Sequence, residues 1–155
     1  MNNTQETTLE AFSIIGISVR TTNQGGKSQS DIGMLWQKFN QENLIDKIPD
    51  KASSEIYCMY TDYESDFSGA YTTIIGCRVN DTTANIPDGF IKKDIAQGKY
   101  LKIMSKGKLP ECVAESWTSI WQSPVDRAYI ADFDIYGEGC KDPQNATVDI
   151  FLSIK

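Results

Sequence analysis

The chain contains no histidine. Ser-His-Asp and Cys-His catalysis are therefore excluded within it, and a metal enzyme would lack its commonest ligand. The four cysteines, Cys58, Cys77, Cys112 and Cys140, form no CxxC pair and no Cys/His cluster, so the sequence offers no metal site. No apolar run approaches the roughly 18 residues that a membrane helix needs. The polar start, MNNTQETT, lacks the basic and then apolar segments of a secretory signal. Together these absences predict a cytoplasmic protein without membrane contact. Positive charge is also scarce: 15 Lys and Arg stand against 21 Asp and Glu, a net charge of −6. A phosphate backbone would be repelled, so no direct nucleic-acid contact is expected. The six lysines of KKDIAQGKYLKIMSKGK (92–108) are spread along a strand-like segment, as on a sheet edge or solvent face.

What is present is a chain of 155 residues, 40% hydrophobic, which suits one domain over 1–155. LEAFSIIGISVRTT (9–22), rich in β-branched residues, predicts a strand. SDIGMLWQKFNQENLI (30–45) places Ile32, Leu35, Trp36, Phe39 and Leu44 at helical spacing, with Ser30 or Asp31 as the cap. SEIYCMYTDYES and AYTTIIGCRVND follow as two strands. The same order then recurs. GFIKKDIAQGKYLKIMSKG contains a long strand. LPECVAESWTSIWQS carries Val113, Trp117, Ile120 and Trp121 along one helical stripe, with Pro110 in its first turn. RAYIADFDIYGE (127–138) and NATVDIFLSIK (145–155) are the closing strands. Two β-α-β-β repeats, 9–81 and 89–155, joined by a polar linker at 82–88, predict an α+β fold with pseudo-twofold symmetry.

The strand RAYIADFDIYGE poses the functional question. Ala131, Phe133 and Ile135 point one way; Ile130, Asp132, Asp134 and Tyr136 point the other. Aspartate is a poor strand residue. The acids are either the wet face of a sheet or carboxylates held out for a ligand. Aligning the apolar row with Val148, Ile150 and Leu152 of the last strand sets Asp134 opposite Asp149, with Tyr136 and Phe151 on the same face. Such a pair repels, and in a cleft it would keep one proton or hold a cation. Tyr57, Met59 and Tyr63 share one face of their strand and predict an adaptable wall for flat ligands. Trp36 and Trp121 are expected in the core, as are Cys58 and Cys77 as free thiols.

The order of elements and the strings GKYLKIMSKGKLPECVAESWTSIW, RAYIADFDIYGE and ATVDIFLSIK resemble the gyrase-inhibitor-like effector-binding domain of AraC-type bacterial transcription activators. The positions that carry the resemblance are Gly98-Lys99-Tyr100, Gly107, Trp117 with Trp121, Phe133-Asp134-Ile135-Tyr136 and Asp149-Ile150-Phe151. The resemblance implies an SHS2-type architecture: a curved, mostly antiparallel sheet with two helices. It further implies a multidrug-type pocket in which an acid is the counter-charge for lipophilic cations. Asp134 takes that role, Asp149 is the second candidate, and Trp117 becomes a pocket wall. The expected ligand-binding set is Asp134, Asp149, Trp117, Tyr57, Tyr136, Phe151 and Met59, with no cofactor. No helix-turn-helix precedes the first strand, so a stand-alone binding module is expected, acting by itself or through a separate regulatory protein in trans. Two alternatives stay open. One is a hydrolase using Asp134 and Asp149 as an acid/base pair. The other is a protein-interaction module of the gyrase-inhibitor type. Nothing supplies an activated nucleophile, which favours binding over catalysis.

Overall fold

The computed structural model describes residues 4–66, 68–80 and 85–155. Its elements run β1 (Thr4–Leu9), β2 (Phe12–Thr22), α1 (Lys27–Gln41), β3 (Ile56–Thr61), β4 (Ala70–Val79), β5 (Ile91–Ile95), β6 (Gly98–Gly107), α2 (Glu111–Trp121), β7 (Ala131–Tyr136) and β8 (Ala146–Ser153). The strands form one sheet in the order β1-β6-β8-β7-β3-β4-β2-β5, and the pairings are antiparallel. This is the α+β architecture of two related halves: β1-β6-β8-β7 mirrors β5-β2-β4-β3, and the halves join where β7 pairs with β3. No helix among the described residues is long and apolar enough to cross a membrane.

Two strands depart from the expected repeats. β1 precedes β2 in the chain but pairs with β6 of the other half; β5 precedes β6 but pairs with β2. The halves therefore exchange their edge strands. β1 is the polar stretch TQETTL, largely exposed, so hydrophobic patterning gives it little signal. Of the expected linker 82–88, residues 82–84 lie outside the described residues, and 85–88 carry no strand or helix.

Both helices lie over one face of the sheet. α1 buries Leu35 and Phe39 against Ile15, Ile17, Cys58, Ile75 and Cys77. It starts earlier than expected: Gly26, in the left-handed region at φ 71°, is its cap, and neither Ser30 nor Asp31 fills that role. Asp31 instead accepts hydrogen bonds from Thr21 Oγ1 (2.9 Å) and Lys27 Nζ (3.0 Å), tying the helix to the end of β2. α2 buries Cys112, Val113, Trp117 and Ile120 against Ile103, Val148, Ile150 and Leu152. Cys58, Cys77 and Cys112 are free, buried thiols.

The opposite face closes on itself. The rings of Phe12 on β2 and Phe133 on β7 are 5.4 Å apart, and Tyr100 on β6 lies 5.6 Å from Phe133. β2 and β7 are separated by β4 and β3, which in a flat sheet is a distance of about 14 Å. The sheet must therefore bend sharply around this aromatic cluster. Gly16 and Gly76 face each other where β2 crosses β4. A Cβ on Gly76 would run into the Ile15 carbonyl oxygen, and one on Gly16 into that of Ile75.

Candidate functional site

On β7 the even-numbered side chains point toward the helices. Register with β3 sets Asp134 beside Cys58 and Asp132 beside Tyr60. Neither acid is on a wet face: Asp132 and Asp134 are both fully buried. Asp134 accepts hydrogen bonds from Trp117 Nε1 (3.0 Å, from α2), Tyr60 Oη (3.0 Å, from β3) and Tyr136 Oη (3.4 Å). Burial pushes its pKa up to about 7; the three donors pull against that shift, and the Asp132 charge adds to it. Burial, and then the Asp134 charge, hold the Tyr60 and Tyr136 phenols well above their usual range, so both remain donors.

Directly in front of these donors, between α1 and α2, is a cavity of about 720 Å³. Trp36 of α1, Tyr60 of β3, Trp117 and Trp121 of α2, and Tyr136 of β7 contribute to its wall, with Tyr63, Tyr71, Ile32, Leu109 and Val113. Trp36 meets Tyr136 edge-on at 5.2 Å, and Tyr60 meets Trp117 edge-on at 5.2 Å. The Asp134 carboxylate lies behind this layer, linked to it by the ring N–H and O–H groups.

A second buried acid lies one strand step away. Asp132 accepts from Arg127 Nη2 (2.7 Å), Tyr63 Oη (2.5 Å), Ser153 N (2.8 Å) and Ser153 Oγ (3.2 Å). Arg127 is itself buried and is part of the cavity wall.

The expected register of the last hairpin is off by one residue. β7 pairs Asp134 with Ile150, and it is Ile135 that faces Asp149. Alternation sets register only where one face of a strand is apolar, and this hairpin carries apolar, largely buried residues on both faces. Val148, Ile150 and Leu152 pack under α2, while Ala131, Phe133 and Phe151 pack in the aromatic cluster beyond. Asp149 therefore lies on the far face, half-exposed, 3.7 Å from Lys102 Nζ. It cannot form an acid/base pair with Asp134. Phe151 stacks on Phe133 at 5.0 Å on that same far face, and Tyr57 stacks on Phe133 at 5.6 Å. Met59 is fully buried among them. Tyr57, Met59, Phe151 and Asp149 thus do not reach the cavity. Trp117 and Tyr136 line it, and Asp134 backs it.

Of the wall expected on β3, Tyr63 lines the cavity, and Tyr60, Trp36, Trp121 and Arg127 join it without having been expected there. Tyr60 has the opposite parity to Tyr57 and Met59, so the correct face was legible from alternation once Asp134 was paired with Cys58. Tyr63 has the parity of Tyr57 yet reaches the cavity, because β3 ends at Thr61 and Asp62 adopts a left-handed φ of 51° that turns the chain over. Trp36 and Trp121 were expected in the core. Trp36 does pack against the core beneath α1, edge-on to Phe39 at 6.3 Å, and faces the cavity as well, whereas Trp121 remains 38% exposed. Arg127 had no signal in the pattern. Among the described residues, no cluster of three or more His, Cys, Asp or Glu could hold a metal ion.

Comparison with known proteins finds relatives over nearly the whole chain. A candidate transcriptional regulator of Bacillus subtilis strain 168, YobU, is 26% identical over 154 residues, covering 96% of each chain. An integron cassette protein of Vibrio cholerae, from the mobile metagenome, has a crystal structure with a TM-score of 0.75 and 32% identity; the match covers 99% of this chain and 97% of that one. The structure of SAV2435 bound to tetraphenylphosphonium superposes with a TM-score of 0.79 at 20% identity, over 99% of this chain and 94% of that one. It shares the fold. The family model for integron-associated effector binding proteins matches residues 7–154, and the chain belongs to that family, within the gyrase-inhibitor-like effector-binding proteins.

Proposed function

We propose that this protein binds hydrophobic, cationic small molecules in the cavity between α1 and α2, with Asp134 as the counter-charge. The observation that carries this reading is a fully buried carboxylate directly behind an aromatic wall. A buried charge is costly unless something compensates it. Here three neutral donors do so in part, and a cation in the cavity would complete the compensation. The volume lies within the range of small-molecule sites. An aromatic wall offers cation–π attraction of about 0.5–2 kcal/mol per well-placed ring.

Contact between the charges is not required. A bulky aryl cation carries its charge beneath its own hydrocarbon. At about 6 Å and an effective dielectric of about 20, the attraction to Asp134 is about 3 kcal/mol. A neutral ligand of the same shape gains only the apolar term. Rings and a recessed charge demand little directional fit, so broad specificity within lipophilic cations is expected. SAV2435, with the same fold, holds such a cation. We read 1–155 as a single binding module whose ligand is sequestered or reported to a separate regulatory protein.

The test is calorimetric titration with tetraphenylphosphonium, and thermal shift with neutral triphenylmethane, on wild type and Asp134→Asn. The substitution should weaken phosphonium binding by roughly 10- to 100-fold, the equivalent of about 1–3 kcal/mol, and leave the neutral ligand's shift unchanged. Equal losses for both would remove Asp134 from charge selection.

A further inference from the structure

The cavity wall holds a polar group that cation capture does not use. Arg127 is 5% exposed, and its guanidinium makes one ion pair, Nη2 to Asp132 at 2.7 Å. Its Nε and Nη1 are buried and have no hydrogen-bond partner among the described residues. The guanidinium lies over the ring of Tyr129 at 4.3 Å and over that of Trp117 at 5.7 Å. Stacking satisfies the faces of a guanidinium but leaves its in-plane N–H groups free to donate. Buried polar groups without partners are rare in folded proteins and call for a functional account. Tyr129 adds a second sign of constraint. It holds a left-handed φ of 54°, a conformation that a bulky residue adopts only when its surroundings impose it.

Asp132 fixes this arginine. It is saturated by Arg127, Tyr63 and two donors of Ser153, so it anchors the guanidinium and has no capacity left for a ligand cation. Asp134, two residues along the same strand, is the other anchor. The indole of Trp117 spans the two, donating to Asp134 through Nε1 and lying under Arg127 with its face. The cavity is therefore bipolar, with an acidic pole at Asp134 and a donor pole at Arg127. Their anchoring residues are roughly 7 Å apart, the i to i+2 spacing of a strand.

We infer that Arg127 forms a subsite for a hydrogen-bond acceptor, so that the preferred ligands are lipophilic cations bearing a carbonyl or similar acceptor. This rests on the cation-binding reading and narrows it to a class of ligand. A guanidinium donor to a neutral carbonyl in a water-poor site should improve binding by roughly tenfold over an isostere without the acceptor.

The probes are tetraphenylphosphonium carrying a para-acetyl or a para-isopropyl group on one ring, which match in shape and differ in the acceptor. A neutral pair, 4-acetylbiphenyl and 4-isopropylbiphenyl, repeats the comparison without charge. Dissociation constants are measured for wild type and for Arg127→Lys, which keeps the positive charge beside Asp132 and removes the guanidinium edge. Wild type should favour the acetyl phosphonium by roughly tenfold, and Arg127→Lys should bring the ratio of the two dissociation constants to about one, whatever it does to the affinity for both probes. The carbonyl stretch of the bound acetyl probe should move to lower wavenumber in wild type, a readout that holds even if the variant fails to fold. An acetyl preference in the neutral pair alone, lost in Arg127→Lys, supports the subsite even if no phosphonium binds. Equal binding of acetyl and isopropyl probes in both pairs, with an unshifted carbonyl stretch, overturns the subsite. It would leave Asp134-dependent phosphonium binding standing as a separate result.

Discussion

Asp134 stores its negative charge against the preference of its surroundings. Its pKa is raised to about 7, so between roughly pH 4 and 7 the folded protein holds a proton that the unfolded chain has released. The contribution of this group to stability therefore falls as pH rises through that window and levels off above it. At pH 8 the ionised form costs up to about 4 kcal/mol. Asparagine can occupy the site: its oxygen accepts from Trp117, and the tyrosine hydroxyls can turn to accept from its amide. Asp134→Asn should accordingly be more stable than wild type at pH 8 in urea denaturation, with the gain shrinking toward pH 5; a gain that does not vary with pH would contradict the assignment. Cation affinity runs the other way, falling as pH drops below about 7 and levelling off roughly 10- to 100-fold lower, where the carboxyl is protonated. Asp134 was legible in the sequence as an acid misplaced in a strand among aromatics. Arg127 was not, since a lone arginine beside a turn resembles any surface arginine until its burial is known.

At the scale of elements, both helices and most strands followed from apolar spacing, because each helix buries one stripe. Register did not follow. Alternation fixes it only when one face is wet, and β7 and β8 are buried on both faces; hence the one-residue slip that placed Asp149 beside Asp134. The exchange of β1 and β5 was likewise invisible, as a polar edge strand has no hydrophobic pattern. At one pair of residues the two backbones themselves come into close contact. Gly16 and Gly76 allow β2 and β4 to approach until a single added methyl meets a carbonyl oxygen. Gly76→Ala should cost about 3 kcal/mol in equilibrium denaturation. A cost below about 1 kcal/mol would show that the strands can part there without consequence.

Across the whole molecule, the recurring order of elements made the two-half architecture readable. The bend of the sheet was not, because it appears only when Phe12, Tyr100 and Phe133 are found touching across intervening strands. That bend leaves the helix-bearing face with the cavity where the halves meet, so the site belongs to neither half alone. All three tryptophans of the chain, Trp36, Trp117 and Trp121, border that one hollow. The protein thus has a built-in optical gauge: when the light is absorbed by indole and not by tyrosine, emission comes entirely from side chains at that hollow, with no tryptophan elsewhere to dilute the signal. Saturation with an aryl cation should change the intensity or colour of the emission in proportion to occupancy. An unchanged spectrum at a concentration where calorimetry reports full binding would mean that the guest had lodged somewhere else.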